Sequence, residues 1–337
     1  MRVNIITRII KSLAFCIVFI LLYLLVIFNA EITHDAIIYS LGFCANILIP
    51  NLFPLMILSS VFSDALTQKF QNNQNLKLIL FTLSSWLSGY IVGPKKLSQS
   101  NVTKDITALT FLTSNAGIGF TVSFVGVYLW NSFYFGLFLY IVQLLTSIFL
   151  FKLIRKNNSL AVEFKQTSLI TSFTDSVKQN TFVLLEICGF TIVFGTIKAL
   201  ICRYFALKGI FSAVFTSLLE ISEGVFVCSR IQNTAMSLFF TGFAVGFGGI
   251  CMCFQTFSAC KSNISRIRFV FLKLLQGLLC GVLCYIYSLF FDLEKNNTLS
   301  TSLSGEIGYF SVFVNTFMWA LALIFIKNFL KSKIFER

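Results

Sequence analysis

A chain of 337 residues that is 57% hydrophobic and 12% charged, with a mean hydropathy of +0.86, carries more apolar surface than a water-soluble fold of this size buries, so its solvent is the lipid bilayer. Apolar runs extend along the whole length, which excludes a sizeable water-soluble domain. The net charge of +13 comes from basic residues between apolar runs and at the ends; without a basic stripe it excludes nucleic acid as a partner and acts as a topology signal.

In chain order, Arg2, Arg8 and Lys11 precede an apolar stretch at 12–29. It is longer than a signal-peptide core and is followed by a poor cleavage site, so it reads as a retained first spanning helix. Further apolar segments lie at 36–66, 77–93, 105–128, 132–153, 178–205, 209–229, 234–258, 267–291 and 308–331. Several reach the roughly 20 residues that cross a hydrocarbon core of about 30 Å, and others are short or broken.

The basic residues orient these segments. The N-terminus, the 152–178 linker (Lys152, Arg155, Lys156, Lys165, Lys178), the 260–268 loop (Lys261, Arg266, Arg268) and the tail (Lys327, Lys331, Lys333, Arg337) belong in the cytoplasm. The acidic 30–35 and 292–307 loops belong outside. Each interval between these marks needs an odd number of crossings yet holds four apolar segments, so one segment per half must enter and leave on the same side. The expected fold is an all-α polytopic membrane protein of two inverted-topology repeats with re-entrant or broken helices, about eight full crossings, and cytoplasmic N- and C-termini. Its parts are an N-terminal helix and outer loop (1–35), repeat 1 (36–153), a cytoplasmic linker (154–177), repeat 2 (178–291), and a C-terminal helix with a basic tail (292–337). The loop carrying Lys95, Lys96 and Lys104 favours the cytoplasm however the segments are counted.

The halves also resemble each other. Phe53 and Ser59 align with Phe190 and Thr196 at an offset of 137, Trp86 to Gly89 with Ile221 to Gly224 at 135, and Thr113 to Gly117 with Thr241 to Val245 at 128. In inverted-repeat transporters, broken helices meet near the midplane and offer helix ends to a polar solute or ion. Glycine clusters mark candidate breaks: Gly89 and Gly93 with Pro94, Gly117 and Gly119, and Gly242, Gly246, Gly248 and Gly249. Close helix packing through small residues is the other reading of the same glycines.

Charged side chains inside a bilayer cost at least roughly 2.5–3.5 kcal/mol at a helix centre. Glu220 and Glu223, beside Ser222 and Gly224, are three apart and would share a helical face. Two such carboxylates need a cation or a donor between them, which makes them a cation site, a proton site or acceptors for a solute. Pairing of Glu220 with Lys198 or Arg203 as structural glue is the alternative. Asn115 and Gln255 hold comparable places in the two halves and carry amides suited to a polar ring or sugar, whereas Gln143 and Gln276 read as interhelical hydrogen bonds. Ten cysteines, most inside apolar runs and none in a C-x-x-C pair, read as reduced core residues. No metal site or cofactor is expected, and no catalytic residue: the single histidine is His34, and neither H-E-x-x-H, G-x-S-x-G nor a phosphate loop occurs.

One family shares these marks. Asn51-Leu52-Phe53-Pro54, then Ser88-Gly89-Tyr90 with Gly93, then Asn115-Ala116-Gly117 with Gly126, and later Leu219-Glu220 with Gly224, Gly248-Gly249 and Gln255, resemble the YlbJ-type sporulation integral membrane proteins over residues 36–290. These carry the nucleoside-recognition Gate domain, itself similar to the core of concentrative nucleoside transporters. The resemblance implies inverted repeats with re-entrant hairpins, the multi-pass membrane of an endospore-forming bacterium (forespore or mother cell), a part in spore cortex or coat formation, and nucleoside-like solutes. The family's glutamate falls on Glu220, its glycine on Gly224, its asparagine on Asn115 and its glutamine on Gln255. Ile91 and Ile118 stand where the family has proline, and Gly93-Pro94-Lys95 replaces its Gly-Ala-Lys. The expected function is a permease for a small polar solute, with Glu220 coupling to a cation or proton and with self-association as an accompanying expectation. The alternative is a non-transporting scaffold or receptor in the spore envelope.

Overall fold

The structure, a computed structural model, describes residues 23–293 apart from 70–73, 99–100, 103–104, 155–161, 164–168, 206, 261–263 and 292, together with residues 13, 16, 17, 20 and 21. The expected C-terminal helix and tail, and most of the N-terminal helix, lie outside the described residues.

The described chain is helical except for one two-residue ladder, β1 (Asn101–Val102) paired antiparallel with β2 (Val162–Glu163). Among the described residues, four helical stretches are long and apolar enough to cross a bilayer: Phe133–Ile154, Thr171–Phe205, Thr234–Ala259 and Arg266–Tyr287. A fifth is a bent pair, Ala30–Leu48 with Leu52–Phe62, kinked by 49°. A π-helical turn at Cys44–Leu48 joins α1 (Ala30–Phe43) to α2 (Ile49–Lys69), and Pro54 inside α2 removes a backbone donor, two recognised causes of a kink. This is the architecture of a membrane protein.

Between the long helices the chain folds back on itself twice. α3 (Gln74–Ser88) and α4 (Val92–Ser98) form a helical hairpin with its tip at Gly89. A methyl on Gly93 would sit 2.9 Å from Ser85 Cβ, and Leu97 shares an apolar cluster with Phe81 and Trp86, so the arms run antiparallel. The second hairpin is α8 (Gly209–Leu219) and α9 (Ile221–Ser229), with its tip at Glu220. Here Gly224 packs on Ser217, Ser217 Oγ lies 3.1 Å from Cys228 Sγ, and Ala213, Cys228 and Ile231 cluster. Where sequence reading had single apolar segments at 77–93 and 209–229, the structure has two arms and a turn.

Two further helices are interrupted. α5 (Ile106–Thr113) unwinds through 114–117 before the π-helical Gly119–Leu129, which turns into α6 (Phe133–Ile154). α10 (Thr234–Phe247) breaks at Gly248 before α11 (Gly249–Ala259). The unbroken helices of the second half are α7 (Leu169–Phe205) and α12 (Arg266–Tyr287). α7 starts at Leu169, inside the region expected to be linker.

Polar contacts sort the helix ends. At one end Asp64 pairs with Lys96 at 2.7 Å and accepts from Ser172 at 2.6 Å. There too Asp105 pairs with Arg268 at 3.2 Å, Arg268 reaches the Ile154 carbonyl at 3.3 Å, and the β1–β2 ladder joins the 99–105 stretch to the linker. At the opposite end Asn29 donates to the Tyr204 hydroxyl at 2.9 Å, and Tyr287 lies against Phe138 and Phe291.

Candidate functional site

An apolar interior cannot hydrate interrupted backbone, so each break needs partners from elsewhere in the fold. At the first hairpin tip, Gly89 adopts φ 105°, a left-handed conformation open to glycine, and lies against Gly117, whose added methyl would sit 3.2 Å from the Leu87 carbonyl. The carbonyls at the end of α5 are taken up from a distance. Leu112 O accepts from Trp86 Nε1 at 2.8 Å and from Asn115 Nδ2 at 2.9 Å; Ala116 O accepts from Gln143 Nε2 at 2.7 Å; Ser114 O accepts from Lys273 Nζ at 2.8 Å.

The second hairpin turns at Glu220, whose backbone is extended at φ −147° and ψ 135°. Its Oε2 accepts from the Glu223 N–H at 2.8 Å, making Glu220 the N-cap of α9, where an anion is favoured by the helix dipole. The α10–α11 break crosses behind this tip. Gly248 and Gly249 both have positive φ, at 82° and 80°, and a methyl on Gly249 would lie 2.9 Å from Leu219 O and 3.0 Å from Glu220 Cα. Of the glycine cluster, Gly248 and Gly249 therefore form the break, whereas Gly242 and Gly246 let α12 approach through Cys280 and Gly277.

Both tips, the unwound stretch after α5 and α11 after the second break meet around one cleft of about 60 Å³ that opens to the outside. The first hairpin contributes Ser88, Gly89, Tyr90, Ile91 and Val92; the second contributes Glu220, Ile221 and Ser222. The unwound stretch brings Ala116 and Gly117, and α11 brings Cys251, Met252 and Gln255. The walls are closed by Leu48, Leu52 and Met56 from the α1–α2 region and by Ile187 and Thr191 from α7. A mostly apolar wall with a few polar groups is the usual form of a small-molecule site. Among those polar groups, Ser88 contacts Ser59 through their hydroxyls, Tyr90 donates to Val245 O at 2.5 Å, and the hydrogen bond of Gln255 is a long one to the Cys251 sulfur at 3.4 Å. Glu220, Ser222 and Gln255 are thus the groups best placed to meet a solute.

Of the residues singled out in the sequence, Ser88, Gly89, Gly117, Glu220, Ser222 and Gln255 line the cleft. Gly248 and Gly249 stand behind Glu220, and Gly224 lies in the hairpin stem against Ser217. Glu223 differs from the expectation of two carboxylates on one face: its side chain pairs with Lys198 of α7 at 2.5 Å, away from the cleft lining. The reason is local, since the break at Glu220 removes it from the helix that carries Glu223. Lys198 consequently pairs with Glu223, not with Glu220. Asn115 differs too. It is fully buried, and its amide is used internally by Leu112 O, by Ser147 Oγ at 3.2 Å and by Gln276 Nε2 at 2.7 Å, so it is no counterpart of Gln255. Gln143 and Gln276 do make interhelical hydrogen bonds, to Ala116 O and to Asn115 and Gln143 O.

No family model, curated protein or solved structure matches this chain. The site therefore rests on its own geometry.

Sequence reasoning overlooked Lys273. It is fully buried in the middle of α12, held by Ser114 O and by Gln276 Oε1 at 2.7 Å, with its ammonium 5.3 Å from the Tyr90 ring centre. Its signal was a lone charge inside an apolar run, obscured by the basic loop just before it.

Proposed function

We propose that the chain is a membrane permease for a small polar solute, built like the Gate-type proteins its motifs resemble. The observation that carries this reading is the convergence of two hairpin tips and two helix breaks on one cleft that contains Glu220.

The order of elements supports two repeats. Each half runs as a long helix, a hairpin, a broken helix and a 22-residue helix. The breaks at Gly89 and Glu220 and those at Gly117 and Gly248 are both 131 residues apart, a steadier spacing than the sequence offsets of 135 and 128. If both hairpins are re-entrant, each half crosses three times, so the second half starts on the opposite side and the repeats are inverted. With the terminal spans that the sequence leads one to expect at 12–29 and 308–331, which lie outside the described residues, the total is eight crossings. Both termini then face the cytoplasm.

This assignment also accounts for Lys95 and Lys96. A first hairpin entered from the cytoplasm returns its basic arm there, next to Asp64, Ser172, Asp105 and Arg268. We predict that Ser98→Cys adds labelling by a membrane-impermeant maleimide, above that of the ten native cysteines in the wild type, in inside-out vesicles and adds none in right-side-out ones. Labelling from the outer face would overturn the re-entrant assignment.

Chemically, the carboxylate of Glu220 with Ser222 and Gln255 suits a solute bearing N–H or O–H donors, while Tyr90 and the apolar walls suit a planar ring. Nucleosides combine both features. Purified protein in detergent should be stabilised against heat by one class within a panel of nucleosides, nucleobases and small metabolites, and should exchange that class across proteoliposome membranes. Stabilisation without exchange would favour the scaffold or receptor reading, and neither result in any class would remove the permease reading.

A further inference from the structure

Lys273 has no carboxylate partner among the described residues. Among the described residues it takes part in none of the ion pairs, although it is fully buried in an apolar bundle where an uncompensated ammonium is costly. Two oxygens hold it instead, with the ring centres of Tyr90 and Phe111 at 5.3 and 5.7 Å. Ser114 O and Gln276 Oε1 accept from it at 2.8 and 2.7 Å, and Ser114 follows the last residue of α5, so the ammonium caps the negative end of that helix.

Not every polar atom around this break is used. Ser114 Oγ and Gln143 Oε1 are buried with no hydrogen-bond partner, and Asn115 Oδ1 is held by Gln276 Nε2. An unwound carbonyl, an amide oxygen and a helix C-terminus are the kinds of group that coordinate a monovalent cation in the broken helices of transporters. In this protein a side chain from α12, 159 residues away along the chain, delivers the cation.

We propose that Lys273 is a tethered cation occupying a monovalent-cation site at the α5 break, so that the first-half break is held together without a bound alkali ion. The site stands apart from the cleft lining but adjoins it through Tyr90, which lines the cleft and has its ring centre 5.3 Å from the ammonium. The consequence for transport, which alone rests on the permease reading, is that no metal ion drives solute loading at this break and that Glu220 carries any ion coupling.

Heat unfolding of the full-length protein in detergent tests the site without needing a solute. Sodium, potassium and propylammonium chlorides are compared with N-methylglucamine chloride at constant ionic strength, for wild type and for Lys273→Ala. Lys273→Gln, which keeps hydrogen-bonding capacity without charge, serves as the second variant. The wild-type midpoint should differ between salts by less than about 1 °C, whereas the variants should melt lower and recover by about 3 °C for each tenfold rise in sodium or propylammonium above its dissociation constant, as expected for a ligand bound only by the folded state. A wild type that is itself saturably stabilised by sodium overturns the proposal. So do variants that gain no more than wild type from either cation.

Discussion

Replacing Glu220 by Gln should reduce exchange of the stabilising solute by about 10- to 100-fold, the range expected when hydrogen bonds to a charged group, worth about 1.5–3 kcal/mol, are lost. The protein should remain in the membrane and fold normally. Gln keeps a carbonyl oxygen able to accept the Glu223 N–H that the carboxylate now accepts at 2.8 Å, so the N-cap of α9 survives. Glu220→Ala removes both the cap and the charge, and should in addition lower stability by about 0.5–2 kcal/mol. Comparing exchange in proteoliposomes with heat unfolding in detergent separates the two roles. Equal exchange by wild type and Glu220→Gln would reduce Glu220 to a helix cap.

The largest structural effect is expected at Gly249. Its φ of 80° is a left-handed conformation costing an L-residue about 1–2 kcal/mol, and an added methyl would lie 2.9 Å from Leu219 O and 3.0 Å from Glu220 Cα. Backbone atoms offer no rotamer by which to relieve that contact. Gly249→Ala must therefore displace the hairpin tip from the α10–α11 break, and a total loss of about 2–4 kcal/mol is expected from strain plus overpacking. Gly189→Ala is the matched control: it lies inside α7 with nothing within 4 Å of the new methyl, so better helix propensity should leave stability unchanged or raised by up to about 1 kcal/mol. Unfolding midpoints of the two variants measured in parallel decide the matter, and a Gly249→Ala protein as stable as wild type would mean that the crossing of the two breaks is not tight.

These expectations link the fold to the chemistry. Lipid offers no partner for a peptide group, so a break persists only where other segments supply donors and acceptors. At the first break those partners are Trp86, Gln143 and Lys273; at the second hairpin tip the carboxylate of Glu220 closes the turn itself. The first-half break and the second hairpin tip thus hold a buried lysine and a buried glutamate, and Tyr90, 5.3 Å from the first, lines the same cleft as the second. Ile91 and Ile118 occupy positions where the resembling family has proline, yet both interruptions are present. Gly89 makes one through its positive φ, and internal hydrogen bonding sustains the other.

Composition and hydropathy by themselves determined that the bilayer is the solvent and where the apolar segments lie, because those properties depend on the residue content of stretches of about 20 residues. Counting segments against loop charge also led to the expectation of an interrupted element in each half, since parity is a property of the chain alone. The sequence further marked six of the residues that line the cleft. Tertiary structure alone decided the rest: that Glu223 belongs to Lys198, that Asn115 is consumed internally, and that Lys273 sits at the α5 break. Each of these depends on which distant group reaches a buried polar atom first. Helical periodicity sets which neighbours share a face within one helix, but it carries no information about a lysine that meets a carbonyl 159 residues away.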